Sequence, residues 1–141
     1  DIMDESIAMT LDRINLLKVQ LVKKYAPGPL EISADKSKLT IAFTNILINA
    51  IEAMESGKGQ LTIVLDNLPN NYLVQIRDNG KGIPRESISS LFEPFFTLKK
   101  NGTGLGLASC YAIVKSHRGN IRVESELNKG TDFFIDFERV Y

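Results

Sequence analysis

Apolar residues recur along the chain at two spacings, one typical of helices and one typical of strands. Apolar residues three or four positions apart predict three amphipathic helices, over residues 2–17, 35–55 and 106–119. Alternating apolar and polar residues predict five strands, over residues 17–25, 61–65, 72–77, 120–126 and 131–140. A short helix is expected between residues 85 and 91. No internal repeat or flexible linker divides this series of elements.

Turn-forming and capping residues indicate where several elements end. Residues 66–71 are rich in Asn and Pro and join two predicted strands into a hairpin, and residues 127–130 do the same for the last two strands. Ser33 or Asp35 can cap the long helix that follows them, because both side chains accept hydrogen bonds from backbone N–H groups at a helix start.

The composition is that of a single folded domain, which we expect to span residues 1–141. With 43% hydrophobic and 24% charged residues, the chain is neither disordered nor low in complexity. Its 17 Lys and Arg residues balance 17 Asp and Glu residues, so it lacks the strong basic field of a general nucleic-acid binder. We therefore expect no nucleic-acid partner.

Rare residues and the absence of long apolar runs exclude further classes. The single Cys110 cannot form an internal disulfide, and with only one histidine, His117, a zinc site of clustered Cys and His is excluded. No run of about 18 apolar residues is present, and the first residues do not resemble a signal peptide. We expect no direct membrane contact in this segment.

Three polar residues interrupt the apolar pattern of the helix predicted at 35–55. Asn45, Asn49 and Glu52 are four and three positions apart, so they share one helix face. Amide and carboxylate oxygens of this kind can bind a hard cation such as Mg²⁺. A solvated face of an amphipathic helix has the same pattern, and taken alone the pattern favours that simpler interpretation.

A loop with two glycines follows the strand at 72–77. It begins with Asp78 and contains Gly80 and Gly82, whose backbones let a flat ligand approach closely. The Asp78 carboxylate could accept a hydrogen bond from an exocyclic amine such as that of adenine. An ordinary Asp-Asn-Gly turn between a strand and a helix is an equal alternative.

A second glycine-rich run, Gly102 to Gly106, opens the last predicted helix. Free N–H groups at a helix start favour phosphate, and Lys99 and Lys100 add positive charge nearby. The run lacks the Lys-Ser/Thr ending of a P-loop, and it does not follow a strand as the Rossmann fingerprint would require.

Together and in order, these segments resemble the sequence motifs of the sensor histidine kinase catalytic domain. Residues 45–54 resemble the N box, 78–84 the first glycine box, 92–99 the F box and 102–107 the second glycine box, and 130–133 resemble the last glycine motif. The resemblance implies the Bergerat (GHKL) fold. That fold is an α/β (α+β) two-layer sandwich, with a mixed, largely antiparallel five-stranded sheet packed on one face by about three helices.

The same resemblance implies that the chain binds ATP and Mg²⁺. Asn49 would be the Mg²⁺ ligand and Asp78 the partner of the adenine amine, while Asn45, Asn49 and Lys99 would act in catalysis. Only two residues separate Lys99 from Gly102, which resembles the short lid of nitrogen-sensor kinases. The nucleotide would contact Asn45, Asn49, Glu52, Asp78, Gly80, Gly82, Ile83, Thr97, Lys99, Gly102, Thr103, Gly104, Leu105, Gly106, Leu107 and Thr131. Many kinases of the family have a basic residue in place of Glu52, so Glu52 either helps to hold Mg²⁺ or faces solvent.

The resemblance further implies transfer of the γ-phosphoryl group to a histidine on a separate dimerisation domain, with a response regulator downstream and a cytoplasmic location. ATPases of the fold carry a Glu at the position of Asn45, and an amide cannot act as a general base, so hydrolysis is disfavoured. The alternatives are a GHKL ATPase or an inactive nucleotide-binding or interaction module. His117 ends a predicted helix, and we interpret it as structural rather than as a phosphoacceptor.

Overall fold

The computed structural model describes residues 2–26, 35–93 and 106–138. Within them the chain forms five helices and five strands. In chain order these are α1 (Ile2–Met9), α2 (Leu11–Leu16), β1 (Gln20–Tyr25), α3 (Lys36–Glu52), β2 (Gln60–Asn67), β3 (Asn71–Asp78), α4 (Arg85–Ile88), α5 (Gly106–Ser116), β4 (Gly119–Glu126) and β5 (Gly130–Glu138).

The five strands form one mixed sheet in the order β1-β2-β3-β5-β4. β1 runs parallel to β2, and every other neighbouring pair is antiparallel. Both predicted hairpins, β2–β3 and β4–β5, are confirmed. The register of β3 and β5 places Asp78 opposite Thr131 at one end of the sheet.

One face of the sheet forms the core, because alternate residues of each central strand are buried there. Leu61, Ile63, Ile76 and Ile135 on this face are inaccessible to solvent. The three longest helices cover it: α3 contacts β3, α5 contacts β4, and α1 contacts α3. The predicted two-layer sandwich is therefore confirmed, with the short helix α4 near its predicted place and a further short helix, α2, that was not predicted.

The single helix predicted over residues 2–17 is wrong, because the chain breaks at Thr10. The N–H and the hydroxyl of Thr10 both donate to the Ile7 carbonyl, each at 2.9 Å. The strand predicted from residue 17 begins only at Gln20. Lys18 has a φ of +54°, a left-handed conformation that a strand cannot contain.

The long helix α3 begins as predicted, with Asp35 as its cap. The Asp35 side chain accepts a hydrogen bond of 3.1 Å from the Lys38 N–H, while Ser33 lies outside the described residues. The helix ends at Glu52, earlier than predicted. No helix in the described ranges is long and apolar enough to span a bilayer.

The remaining two helices differ from the predictions at their ends. α4 ends at Ile88 rather than near residue 91, and the following residues form turns. α5 ends at Ser116, and Arg118 then adopts a φ of +57°. That left-handed residue reverses the chain before β4, which begins at Gly119.

Candidate functional site

Asp78 lies at the end of β3 with only 4% of its surface exposed. Its Oδ1 atom accepts a hydrogen bond of 2.9 Å from the Gly80 N–H, and the backbone of Thr131 donates a second bond to the carboxylate. Burial raises the pKa of Asp78 to about 6, against the opposing effect of these two bonds. The site thus contains a fixed carboxylate with further capacity to accept hydrogen bonds.

The loop after Asp78 fits its surroundings only because two of its residues are glycines. A Cβ atom on Gly80 would lie 2.4 Å from the Ala53 carbonyl oxygen at the end of α3. A Cβ atom on Gly82 would lie 2.2 Å from the Glu126 carbonyl oxygen, and Gly82 also has a φ of +76°. The loop is therefore held between helix α3 and the β4–β5 turn.

Asn79 anchors the other side of this loop, a role that the sequence analysis did not predict. Its Oδ1 atom accepts a hydrogen bond of 2.8 Å from the Gln60 N–H, and its Nδ2 atom donates to the Lys58 carbonyl at 3.1 Å. Asn79 therefore ties the loop to the start of β2. The only signal in the sequence for these hydrogen bonds is that Asn79 lies in an Asp-Asn-Gly turn, since Asn side chains in turns often bond to nearby backbone groups.

Thr131 is buried opposite Asp78 and contacts a second hydroxyl that the sequence analysis also missed. The Oγ atoms of Ser125 and Thr131 lie 2.8 Å apart. Ser125 also accepts a hydrogen bond of 2.8 Å from the Ile83 N–H and donates one of 3.0 Å to the Gly130 carbonyl. The register of the predicted β4–β5 hairpin was the signal that could have paired Ser125 with Thr131.

The polar face of α3 divides between two environments. Asn45 and Asn49 are half-buried, whereas Glu52 is exposed. The side chain of Asn45 faces α5: a Cβ atom on Gly106 would lie 3.9 Å from the Asn45 Cγ. A solvated face therefore describes Glu52 but does not describe Asn45.

The Asn45 side chain also hydrogen-bonds the thiol of Cys110, one turn further along α5. That thiol donates to the Ala42 carbonyl at 3.1 Å. Burial raises the pKa of Cys110 to about 12, although the bond from Asn45 opposes this shift. Cys110 is therefore a protonated, inaccessible thiol that links α5 to the polar face of α3.

Several predicted site residues lie outside the described residues. These are Thr97, Lys99, Gly102, Thr103, Gly104 and Leu105. Gly106 begins α5 beside Asn45, while Ile83 and Leu107 are half-buried and pack against the core. The structure thus brings two groups to the helix-covered face of the sheet: Asp78, Gly82 and Thr131 at the strand ends, and Asn45 with Gly106 between the helices.

The described residues fit a Mg²⁺ ion only if phosphate supplies most of its ligands. No group of three or more His, Cys, Asp or Glu side chains among them could hold a metal ion. The half-buried Asn49 offers one amide oxygen, which suits a hard cation. This donor set matches an ion that arrives bound to a polyphosphate.

A groove of about 300 Å³ lies at the same end of the sheet, and its lining includes Asp78, Ser125 and Thr131. Arg77 and Asp132, which line it, point away from the helices and form an ion pair of 2.8 Å. Lys129 and Glu126, also in its lining, pair at 3.3 Å. The groove therefore includes Asp78 and Thr131 of the candidate site, while these four charged side chains of its lining are already paired with one another.

A family model described as histidine kinase-, DNA gyrase B-, and HSP90-like ATPase matches residues 34–140. The chain is 34% identical over 135 residues to sporulation kinase A of Bacillus subtilis (strain 168), covering 96% of this chain and 22% of the relative. It is 37% identical over 105 residues to the sensor histidine kinase ZraS of Escherichia coli (strain K12), covering 74% of this chain and 22% of the relative. The chain therefore spans about a fifth of the length of these relatives.

Solved structures with the same fold include two histidine kinases. The nucleotide-free catalytic domain of the histidine kinase ThkA superimposes with a TM-score of 0.87 at 27% identity, covering 98% of this chain and 90% of that chain. The mycobacterial sensor histidine kinase MprB also gives a TM-score of 0.87, at 28% identity, covering 98% of this chain and 92% of that chain. The expected fold is confirmed by both.

Proposed function

The chain belongs to the family of histidine kinase-, DNA gyrase B- and HSP90-like ATPases, and we propose that it is the catalytic, ATP-binding domain of a sensor histidine kinase. The observation that carries the proposal is the buried carboxylate of Asp78, held by two backbone N–H groups in a loop whose glycines admit no side chain. The similarity of this chain to a sporulation kinase over 96% of its length supports the choice within the family.

At the base end of the site, Asp78 accepts a hydrogen bond from the exocyclic amine of adenine. A buried carboxylate is suited to this task, since leaving it unpaired next to a ligand without a donor would be costly. Gly80 and Gly82 let the loop pack closely against α3 and the β4–β5 turn, which holds the backbone beside Asp78 in place for the flat base. Ile83 supplies an apolar contact beside them, and Thr131 adds a polar contact opposite Asp78.

At the phosphate end, Asn45, Asn49 and the start of α5 meet the triphosphate. The N–H groups of a helix start favour phosphate, and Gly106 leaves them unobstructed beside Asn45. Asn49 would hold Mg²⁺, which neutralises phosphate charge when bound. Thr97, Lys99 and residues 102–105 complete this end of the proposed site, and Glu52 either contacts Mg²⁺ through water or faces solvent.

Phosphoryl transfer is favoured over hydrolysis because the residue at position 45 is an asparagine, which cannot accept a proton from water. An amide does not take up a proton at neutral pH, and the neighbouring Cys110 thiol, with its raised pKa, is already protonated. Positioning and charge neutralisation suffice for transfer to a nucleophile that a partner provides. We therefore propose a histidine on a dimerisation domain as acceptor, a response regulator downstream, and a cytoplasmic location.

Calorimetric titration with ATP and Mg²⁺, followed by a transfer assay with a supplied histidine-bearing dimerisation domain, tests the proposal. We expect ATP binding and labelling of the supplied domain from γ-labelled ATP. Absence of ATP binding would overturn the proposal. Release of phosphate without an acceptor would favour an ATPase, and binding without transfer would favour an inactive nucleotide-binding module.

A further inference from the structure

We propose that Ser125 is a positioning residue that determines the base specificity of the site. By accepting the hydrogen bond that the Thr131 hydroxyl donates, Ser125 leaves Thr131 able only to accept hydrogen bonds from a bound base. The site then favours a purine with a 6-amino group over one with a 6-oxo group. This inference rests on the proposed function, because it concerns how the same nucleotide site chooses its ligand.

The partners of Ser125 determine where its single hydroxyl proton goes. The Gly130 carbonyl can only accept, and it lies 3.0 Å from the Ser125 Oγ atom, so the Ser125 proton is donated there. The Ile83 N–H donates to the same Oγ atom at 2.8 Å. In the remaining contact, at 2.8 Å, the Thr131 hydroxyl must therefore be the donor.

Once its proton is committed to Ser125, Thr131 presents only lone pairs to a ligand. Asp78, paired opposite Thr131 in the β3–β5 register, is a second acceptor, and its bonds from backbone N–H groups keep it in place. Both groups are almost fully buried, with 4% of Asp78 and 5% of Thr131 exposed. Two acceptors therefore form this end of the base pocket, and the two backbone N–H groups beside Asp78 are already bonded to its carboxylate.

Two acceptors match the exocyclic amine of adenine, which carries two N–H donors. They disfavour a 6-oxo group, because its lone pairs would face the lone pairs of Asp78. They would also face those of Thr131, or of a water molecule bound to Thr131. Discrimination of this kind is strong, because the wrong ligand leaves buried polar groups unpaired. Without Ser125, the Thr131 hydroxyl could rotate and donate to the oxo group, and the discrimination would weaken.

The test compares ATP with inosine triphosphate, which carries a 6-oxo group in place of the amine. Calorimetric dissociation constants are measured for both nucleotides with Mg²⁺, for the unaltered chain and for Ser125→Ala, above the pKa of Asp78. We expect the unaltered chain to bind ATP at least about 100-fold more tightly than inosine triphosphate. Ser125→Ala should narrow that ratio by roughly tenfold, which is the effect of one hydrogen bond.

If the role of Ser125 were purely structural, Ser125→Ala would weaken the binding of both nucleotides equally and leave the ratio of their dissociation constants unchanged. That result would overturn the inference. Ser116→Ala is the matched control, since Ser116 is an exposed serine whose hydroxyl also donates to a backbone carbonyl. In this variant the ratio of the dissociation constants for inosine triphosphate and ATP should equal that of the unaltered chain. If Ser125→Ala does not fold, Thr131→Val removes the acceptor while leaving the bonds of Ser125 to Ile83 and Gly130. An unchanged ratio in Thr131→Val would also overturn the inference.

The outcomes separate this inference from the proposed function. An unaltered chain that binds neither nucleotide contradicts the proposed function and this inference with it. An unaltered chain that binds ATP, with a preference that Ser125→Ala does not change, contradicts only the role of Ser125.

Discussion

The Nε2 atom of His117 accepts a hydrogen bond of 2.9 Å from the backbone N–H of Asp35. The other ring nitrogen, Nδ1, lies 2.8 Å from the Ile113 carbonyl oxygen, which can only accept, so Nδ1 carries the proton. Both ring nitrogens are therefore engaged in hydrogen bonds. The imidazole joins the end of α5 to the start of α3, and this bonding supports a structural role for the only histidine.

Replacing His117 should affect stability and leave nucleotide binding intact. His117→Ala removes the bond to Asp35 and the bond to Ile113, so we expect urea denaturation to give a free energy of unfolding lower by about 1–2 kcal/mol. The affinity for ATP should not change. Incubation with γ-labelled ATP should leave His117 unlabelled, and label on this residue would refute the structural role.

Asp78 should make the stability of the domain depend on pH. Its pKa in the folded state, about 6, lies above the ordinary value of 3.8. The stabilisation linked to its protonation is therefore complete below the ordinary pKa, and it is lost as the pH rises through the folded value. A difference of about two pKa units corresponds to roughly 3 kcal/mol.

Asp78→Asn stays uncharged, so its free energy of unfolding relative to the unaltered chain should rise between about pH 4 and pH 7. The measurement is urea denaturation of both proteins at several pH values. If the two free energies of unfolding changed with pH in parallel, the buried charge of Asp78 would not be the cause of the pH dependence.

ATP affinity should depend on the charge of Asp78 in the opposite direction from stability, because the charged carboxylate binds the adenine amine. It should weaken in the unaltered chain as the pH falls below the pKa of Asp78, and Asp78→Ala should lose most binding at every pH while remaining folded.

Asn49 and Glu52 should differ in their effect on Mg²⁺. If Asn49 is a Mg²⁺ ligand, Asn49→Ala should weaken ATP binding roughly tenfold or more with Mg²⁺ present and have little effect with the metal chelated. Glu52→Gln is the comparison, one helix turn further along and exposed. If Asn49→Ala lost the same ATP affinity with and without Mg²⁺, Asn49 would not be a Mg²⁺ ligand. A metal-dependent loss in Glu52→Gln would assign Glu52 to the ion rather than to solvent.

Local signals were sufficient to predict most of the fold. The alternation in β2, β3, β4 and β5 depends on neighbouring residues and was predicted correctly, and Asp35 is one of the two caps that the sequence offered for α3. The break at Thr10 was not, because Ile7, Leu11 and Ile14 keep helical spacing across it. The interruption comes from hydrogen bonds of Thr10 itself, which apolar periodicity cannot detect.

The contacts within the candidate site could not be predicted from the sequence, which indicated only the residue types. The choice between a ligand and a solvated face for Asn45 depended on α5, whose Cys110 is 68 positions from Ala42 in the sequence yet bonded to it. Ser125 was missed for a similar reason. Two of its hydrogen bonds follow from the β4–β5 register, but the bond from the Ile83 N–H forms only when the loop after Asp78 approaches the hairpin, and no spacing along the chain records that approach.

Gly82 and Gly57 provide a matched pair of variants that tests how tightly the loop after Asp78 is held. Their φ angles are +76° and +80°, so alanine imposes a similar backbone strain at both positions, about 1 kcal/mol. Gly57 has no atom within 4 Å of an added Cβ, whereas at Gly82 the Glu126 carbonyl oxygen would lie at 2.2 Å. Gly82→Ala should therefore lower the free energy of unfolding in urea by roughly 2 kcal/mol more than Gly57→Ala does, since the β4–β5 turn must move. Gly82→Ala should also weaken ATP binding while Gly57→Ala should not, and equal effects of the two variants would show that the turn does not confine the loop.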